Sequence, residues 1–344
     1  ISLAPATLKK EGAVFDLPMA LSYLLAAEDL AFDPANTLFA GELSLDGKLR
    51  SIRGALSIAL VARAEGFTRL IVPMENAAEA ALVDGVEVYG AESLRDVIDF
   101  FSSGENKKRL ARGVKQERAE KSLHDAPLDD IRGQESAKRA LEIAAAGAHN
   151  IALYGPPGTG KTMLARALRS ILPPLSPEGL IEVTTIHSYA GEGGIVSSAP
   201  FRSPHHTASY ASLIGGGAVP KPGEVTLAHR GVLFLDEFPE FKRDCVNALR
   251  EPLEDRVVSV SRAKSSATFP ANFILVAALN PCPCGFFGTK RCGCPAHAIE
   301  RYRRKISGPI ADRIDMWILV GEMPLEALAN RMTRSDRETT SARA

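Results

Sequence analysis

The stretch 155–162 reads GPPGTGKT and constrains the fold more than any other part of the 344-residue chain. It follows a short apolar run, 151–154, and precedes a helix-prone run, 163–170. Strand, glycine-rich loop and helix together form a phosphate-binding loop, because glycines let backbone N–H groups converge on an anion at a helix N-terminus. A glycine-rich turn before an ordinary helix is the weaker interpretation of so complete a pattern. We therefore predict that the chain binds a nucleoside triphosphate.

Two side chains at the end of this loop carry chemistry that glycine lacks. Lys161 is expected to reach the β- and γ-phosphates, and the Thr162 hydroxyl is expected to coordinate Mg²⁺. ATP and Mg²⁺ are therefore the predicted cofactors. The residues of this segment predicted to bind the nucleotide are Gly155, Pro156, Pro157, Gly158, Thr159, Gly160, Lys161, Thr162 and Met163.

Composition is typical of a globular protein. Hydrophobic residues make up 45% of the chain and charged residues 24%, and the formal net charge is zero, so any surface that binds nucleic acid must be local. No apolar run reaches the length of a membrane span, no signal peptide is found, and four of the five cysteines are clustered. We predict a cytoplasmic protein that does not contact membranes. The chain begins at Ile1 and not at methionine, so its natural start is expected upstream.

Three parts follow one another along the chain. Residues 1–101 form a predicted α/β domain, in which 37–50 alternates like a hairpin with an Asp-Gly turn. Residues 102–127 carry seven Lys or Arg, and we interpret them as a solvated charged linker, with contact to nucleic acid as the alternative. A second α/β domain covers 128–344. Helices are predicted at 12–27, 58–66, 77–82 and 94–101, and strands at 70–72, 86–89, 151–154, 232–235, 273–278 and 316–320.

The apolar run GVLFL (231–235) ends in two acidic residues. Asp236 is predicted to hold Mg²⁺ through water, and Glu237 is predicted to polarise the attacking water as a catalytic residue. Adjacent positions at a strand end suit these roles, because one carboxylate ligates the metal while the next stays free to act on water. An acidic pair after an apolar strand is common by itself, but after a phosphate-binding loop it predicts an ATPase.

Further segments resemble the AAA+ ATPases. Asn280 ends the apolar run FILVAALN and matches the sensor-1 residue beside the γ-phosphate. Arg313 in GPIADRID resembles the arginine finger that acts on the ATP of a neighbouring subunit, and an ordinary surface ion pair is the alternative. The stretch 130–141 resembles the segment that packs on the adenine. The residues expected near the base are Ile131, Gly133 and Gln134.

Three longer motifs narrow this resemblance. PFRSPHHTAS (200–209), NPCPCG (280–285) and ISGPIADRID (306–315) resemble the magnesium-chelatase branch of AAA+, and more closely the ComM/YifB family, over essentially the whole chain. The resemblance implies a P-loop domain with a parallel sheet and an insertion between the two ATPase motifs. The glycine, proline and serine content of 188–224 predicts loops for that insertion. It also implies a helical lid with a further arginine beyond Ala344, missing or truncated in this chain.

The first domain resembles the proteolytic domain of Lon, a ribosomal S5 domain 2-like α/β fold. The matching segments are KKEGAVFDLPMAL and the hairpin with the helix that follows it. Lon-type proteolysis needs a serine nucleophile and a lysine base, and an ungapped alignment places Val14 and Leu56 at these positions. Neither side chain can act as a nucleophile or a base. The domain is therefore predicted to be a Lon relative that does not cleave peptides.

Four cysteines lie on one loop with the spacing C-x-C, seven residues, C-x-C: Cys282, Cys284, Cys292 and Cys294. Four thiolates suit a tetrahedral Zn²⁺ site, although the spacing is not the usual one, and reduced thiols without metal are the alternative. Lys290 and Arg291 lie on the same loop beside two phenylalanines. Basic and aromatic residues suit an element that contacts DNA, and they also suit a subunit contact.

Three classes of function compete. The ComM/YifB family is associated with branch migration during natural transformation, which implies a ring-forming, hexameric motor or helicase on single-stranded or branched DNA. A chelatase-type ATPase that remodels a protein partner is the alternative, and an ATP-dependent protease is disfavoured by the missing dyad. The family also carries a hairpin before sensor 1, predicted at 257–269 with Arg262 and Lys264 near its tip. Phosphate contacts need such cations, which favours DNA.

Overall fold

The fold is described from a computed structural model, which covers residues 12–101, 110–113, 127–217, 221–262, 265–306 and 308–322. Its helices are α1 (Asp16–Ala26), α2 (Ala55–Ala64), α3 (Met74–Ala80), α4 (Leu94–Phe101), α5 (Glu135–Gly147), α6 (Lys161–Ile171), α7 (Pro177–Ala190), α8 (Tyr210–Ile214), α9 (Glu224–Leu227), α10 (Arg243–Ala248), α11 (Arg250–Asp255), α12 (Ala296–Arg303) and α13 (Gly308–Ala311). Short 3-10 turns lie at Ala13–Phe15, Leu128–Asp130 and Phe238–Glu240.

The strands of the described residues lie between these helices. They are β1 (Thr37–Phe39), β2 (Glu42–Leu43), β3 (Leu49–Arg50), β4 (Arg69–Pro73), β5 (Glu87–Ala91), β6 (Ala111–Arg112), β7 (Ile151–Tyr154), β8 (Phe201–Arg202), β9 (Gly215–Gly216), β10 (Lys221–Pro222), β11 (Val232–Leu235), β12 (Val257–Arg262), β13 (Ser265–Pro270), β14 (Ile274–Leu279) and β15 (Met316–Leu319). No helix of this part of the chain is both long and apolar enough to cross a membrane.

The described residues divide into two compact units. The first contains the residues up to 113 together with Pro177–Ser197, and the second contains the residues from 127 to 176 and from 198 onwards. Helix α7 therefore belongs to the first unit, although the sequence between the two ATPase motifs was assigned to the second domain. Ile181 packs against a hydrophobic cluster of this unit, and Ser188 Oγ accepts a hydrogen bond of 3.0 Å from the Gly54 N–H.

A sheet in the order β1-β4-β5-β6 forms the centre of the first unit. Strand β1 pairs in parallel with β4, so the hairpin predicted over 37–50 is confined to β2 and β3. Strand β6 lies within the predicted linker and instead pairs antiparallel with β5. Leu110 is buried beside it, and Arg112 Nη2 lies 3.0 Å from Glu87 Oε1. The solvated-linker prediction is therefore wrong for residues 110–113, because these residues bury an apolar side chain.

The positions aligned with the Lon dyad lie in apolar surroundings. Leu56 is fully buried in a hydrophobic cluster of the first unit, and Val14 packs against the same cluster. The Leu56 N–H donates to Glu79 Oε1 at 3.2 Å, which satisfies this buried carboxylate at the start of α2. Hydrocarbon side chains and a structural hydrogen bond therefore occupy this part of the unit.

The second unit has, within the described residues, a five-stranded sheet in the order β15-β7-β14-β11-β8, with all neighbouring strands parallel. The four predicted strands are confirmed to within one residue at each end. Val232 and Phe234 of β11 face one core with α5 and α6, and Leu233 faces the other core with α8 and α10. This order places the carboxyl ends of β7, β14 and β11 side by side, where three predicted site segments begin.

The insertion is more regular than its composition predicts. Residues 188–224 were predicted as loops, yet they contain β8, α8 and the antiparallel pair of β9 and β10. Ser209 Oγ accepts from the Ser212 N–H at 3.1 Å and caps α8, whose Leu213 and Ile214 are buried. These elements span two to five residues, so they are too short to leave a periodic pattern in the sequence.

The predicted hairpin before Asn280 is confirmed. Strands β12 and β13 pair antiparallel from Val257 opposite Pro270 to Arg262 opposite Ser265. Val258 and Val260 are buried on one face of the hairpin. Arg262 therefore lies at the tip, where only its backbone is described, and Lys264 lies outside the described residues.

Candidate active site

The phosphate loop joins β7 to α6 with backbone geometry that requires glycine. Gly158 and Gly160 have φ angles of 79° and 87°, in the left-handed region that L-residues rarely adopt. A Cβ atom on Gly155 would clash with the Val320 carbonyl oxygen, so any side chain there would displace the backbone directly after β15. Helix α6 begins at Lys161, so the loop ends at a helix N-terminus, where N–H groups without a partner in the helix favour an anion.

Lys161 is buried, with 8% of its surface exposed. Its Nζ donates to Gly155 O at 2.8 Å, to Pro156 O at 2.7 Å and to Asn280 Oδ1 at 3.2 Å. Burial lowers the pKa of Lys161, and the charge of Asp236 acts in the opposite direction. The ammonium group therefore joins the phosphate loop to the end of β14, in the position that a phosphate-binding lysine needs.

The predicted Mg²⁺ ligands meet across the sheet edge. Thr162 Oγ1 donates to Asp236 Oδ2 at 3.0 Å, although the two residues are 74 positions apart in the sequence. A hydroxyl and a carboxylate at this separation provide hard oxygen ligands from two elements. These two residues would hold Mg²⁺, which would neutralise charge on the phosphate oxygens of a bound nucleotide.

Glu237 has a strained backbone and a basic partner. Its φ of 51° lies in the left-handed region, which is unfavourable for a residue with a side chain. Its N–H donates to Asp236 Oδ1 at 2.9 Å, and its Oε2 lies 3.0 Å from His206 Nδ1. His206 was not predicted as a site residue. The separation of His206 and Glu237 in the sequence does not predict their contact, because it is the pairing of β8 with β11 that brings them together.

Arg313 lies outside the nucleotide cavity. Its Nη2 donates to Glu254 Oε1 at 2.6 Å, and both side chains are partly exposed. The Asn150 side chain accepts from the Leu275 N–H at 2.9 Å and donates to the Arg313 carbonyl at 2.9 Å, which fixes the backbone of Arg313 against the sheet. The arginine thus stands on a rigid surface position with an acidic partner.

A cavity of about 630 Å³ adjoins the phosphate loop. Among the residues predicted to bind the nucleotide, Ile131 and Gln134 line it on the side expected for the base, and Gln134 Nε2 donates to Gly321 O at 2.7 Å. Gly133 has a φ of 60° in the turn before α5 and does not itself line the cavity. The lining residues contributed by the phosphate loop and α6 include Pro157, Gly158, Thr159, Gly160 and Met163.

The four clustered cysteines converge. Their Sγ atoms all lie within 4.8 Å of one another, with 3.3 Å from Cys282 to Cys284 and 3.8 Å from each of these to Cys292. Zn–S bonds of about 2.3 Å in a tetrahedron give S–S edges of about 3.8 Å, so the set fits one Zn²⁺ ion. The Phe286 N–H, followed by the Cys282 thiol, lowers the pKa of Cys284 to about 6.

The two basic residues of the same loop have different surroundings. Lys290 is exposed, as its predicted role in DNA binding requires. Arg291 is exposed too, but it lines the nucleotide cavity, and its Nη1 lies 3.4 Å from Glu322 Oε1. The DNA-binding roles of Lys290 and of the hairpin tip stay predictions.

Comparisons with known proteins agree with this geometry. A family model described as magnesium chelatase, subunit ChlI, matches residues 127–328, and one described as subunit ChlI of Mg-chelatase matches residues 1–76. The uncharacterized protein YifB of Salmonella typhimurium is 43% identical over 99% of this chain and 67% of its own length. The competence protein ComM of Haemophilus influenzae is 44% identical with the same coverage.

Partial matches cover the separate parts of the chain. The magnesium-chelatase 67 kDa subunit of Heliobacterium mobile is 32% identical over 46% of this chain and 28% of its own length. Lon protease 2 of Bacillus subtilis is 35% identical over 39% of this chain and 26% of its own length. The chain spans about two thirds of the length of its long relatives. It belongs to the ComM/YifB family of magnesium-chelatase-like AAA+ proteins.

Proposed function

We propose that this chain is the ATP-hydrolysing part of a ring-forming DNA motor that moves single-stranded or branched DNA in recombination or natural transformation. The assembled ATPase constellation carries this proposal: Lys161 contacts Asn280, and Thr162 contacts Asp236, at one edge of the sheet. The name of the ComM relative points to competence, the state in which cells take up DNA.

Each side chain of the site has one role in this proposal. Lys161 and the phosphate loop bind the triphosphate, and Asp236 and Thr162 hold Mg²⁺. Glu237 accepts hydrogen bonds from the attacking water and orients it. Asn280, next to the Lys161 ammonium, orients the γ-phosphate end of the site. His206 keeps Glu237 in place through its contact of 3.0 Å.

The hairpin supplies the proposed DNA contact. Strand β12 ends at Arg262, Lys264 follows two positions later in the sequence, and the hairpin is anchored in the core through Val258 and Val260. Cations at the end of a hairpin can contact a phosphate backbone without reading its bases. In a ring, six such hairpins would contact a common DNA strand.

Neutralising the hairpin tip should therefore weaken DNA binding but spare the ATPase site. For Arg262→Ala/Lys264→Ala, we expect weaker binding of single-stranded DNA and a salt dependence of log K that is flatter by about 1.4, since each lost phosphate contact releases about 0.7 fewer counterions. Fluorescence anisotropy over a salt series measures both quantities, and ATPase activity without DNA should persist.

The matched control removes two charges elsewhere in the same unit. Arg301→Ala/Arg304→Ala changes two residues at the end of α12 and should alter the salt dependence less than the hairpin variant does. Equal effects of the two double variants, or normal strand separation by the hairpin variant in a branched-DNA assay, would remove the hairpin as the DNA contact.

A protein-remodelling ATPase is the alternative. The partial match to a magnesium-chelatase subunit supports it, and Tyr210 in the insertion is 51% exposed, as a residue that grips a polypeptide would be. DNA binding at low salt separates the two functions. If the wild-type full-length protein binds no DNA under those conditions, the remodelling function replaces the motor.

Arg313 is proposed to complete the ATP site of a neighbouring subunit in a hexamer. We expect Arg313→Ala to bind ATP normally and to lose turnover by about 100-fold or more, the range measured for arginine fingers being larger still. Mixing Arg313→Ala with Glu237→Gln should restore part of the activity, because some interfaces then combine an intact arginine with an intact glutamate. Steady-state ATPase assays of the mixture test this.

The ion pair with Glu254 provides the control for Arg313. Glu254→Gln breaks the pair but leaves the arginine free to reach a neighbour, so its turnover should stay near wild type. If Glu254→Gln is as inactive as Arg313→Ala, or if the mixture stays inactive, the arginine has only a structural role.

We propose further that the cysteine cluster holds one structural Zn²⁺.

A further inference from the structure

The cysteine loop, residues 281–295, lies directly against the phosphate loop. It starts after Asn280, whose Oδ1 accepts from Lys161 Nζ. Gly285 has a φ of 84°, and a Cβ atom there would lie 2.5 Å from Pro157 Cδ. Only glycine permits both this backbone conformation and this approach. The cysteine loop is therefore built to form a wall of the nucleotide site.

Arg291 extends this wall into the nucleotide cavity. It lines the cavity together with Gly158, Thr159 and Gly160, which belong to the phosphate loop. Its guanidinium carbon lies 3.8 Å from the centre of the Phe286 ring, which restricts the positions of the side chain. A cation held this way on the rim of a cavity beside the phosphate loop is complementary to a negatively charged phosphate group.

We propose that Arg291 binds phosphate oxygens of the nucleotide in this cavity. The inference rests on the nucleotide site of the proposed function and adds to it a ligand-binding residue from the cysteine loop. A planar guanidinium can donate two hydrogen bonds to a phosphate, which an ammonium group cannot match. Arg291 thus acts on the nucleotide, whereas the sequence predicted contact with DNA, with a subunit contact as the alternative.

Glu322 explains how Arg291 is held when it does not contact a phosphate. The two side chains are 64% and 58% exposed and 3.4 Å apart, and Glu322 lines the same cavity. Exposed ion pairs contribute little to stability, so this contact can be exchanged for a phosphate at small cost. The pair therefore keeps the guanidinium at the cavity rim without blocking its use.

Binding of ADP to the purified full-length protein, measured by isothermal titration calorimetry, tests the proposal. We expect Arg291→Ala to weaken ADP binding about 10-fold or more and Arg291→Lys to weaken it less. Inorganic pyrophosphate, used as a competitor, should lose affinity by the same factor, because it carries the phosphates without the base. Arg301→Ala, which removes an exposed charge from α12, should bind ADP as the wild type does.

Three outcomes would overturn the inference. Wild-type ADP affinity of Arg291→Ala is the first, and a loss for ADP without any loss for pyrophosphate is the second. The third is a Glu322→Gln variant that binds ADP as weakly as Arg291→Ala, since Arg291 would then act only through the pair. Lys161→Ala is measured alongside: if it binds ADP normally, the cavity is not the nucleotide site and the proposed function fails too.

Discussion

Replacing Glu237 by glutamine should leave ATP bound and stop its hydrolysis. The variant keeps the shape of the side chain and keeps Asp236, which together with Thr162 would hold Mg²⁺. It loses only the carboxylate that we propose orients the attacking water. A catalytic group of this kind contributes about 100-fold or more to the rate. We expect that loss in steady-state ATPase assays of the full-length protein, with an ATP affinity that stays near wild type.

Lys161→Ala should already be defective in nucleotide binding, the step before hydrolysis. The Lys161 ammonium group lies between two loop carbonyls and the Asn280 side chain, so the substitution removes a positive charge from the predicted triphosphate site. Nucleotide binding itself should be lost, whereas Glu237→Gln loses only turnover. A Glu237→Gln variant that hydrolyses ATP at the wild-type rate would show that another group orients the water.

The parts of the site that could be predicted are those that local sequence determines. The phosphate loop can be recognised in the sequence because its glycines, lysine and threonine occupy fixed positions in one short segment between a strand and a helix. The acidic pair and Asn280 follow apolar runs long enough to be recognised as buried strands, and the parallel sheet then brings their ends together. In each case the chemistry depends on neighbours in the chain.

The parts that could not be predicted depend on contacts between distant segments. His206 contacts Glu237 only because the two-residue strand β8 joins the sheet beside β11. So short a strand shows no alternation of apolar and polar residues from which it could be predicted. Helix α7 lies between the two ATPase motifs in sequence, yet it packs in the first unit. The sequence shows only the charge of Arg291, which suits contact with DNA and with a nucleotide alike. Its position in the cavity beside the phosphate loop is what favours the nucleotide.

The first unit illustrates the same division between sequence and structure. The absence of a serine and a lysine could be read directly from Val14 and Leu56. Their packing against one hydrophobic cluster could not, because it depends on how α2 and the first turn meet.

Removing one cysteine of the cluster should release the metal. Elemental analysis of the wild-type protein should find about one zinc per chain, and Cys282→Ala or Cys292→Ala should lose it, because three thiolates bind the ion far more weakly than four. Cys245→Ala is the matched control, since this buried cysteine lies in α10 outside the cluster and should not affect the zinc content. A folded wild-type protein without metal would identify the four cysteines as reduced thiols.

The metal variants should also separate the two roles of the cysteine loop. The sulfur atoms hold both ends of the segment that carries Arg291, so Cys292→Ala should lose zinc and ADP affinity together. Arg291→Ala should lose ADP affinity and keep its zinc, because its guanidinium contacts Glu322 and the Phe286 ring and is not itself a thiolate ligand. Measuring zinc content and ADP affinity on the same samples distinguishes these results. Normal ADP binding by a zinc-free Cys292→Ala variant would mean that the loop keeps its position without the metal.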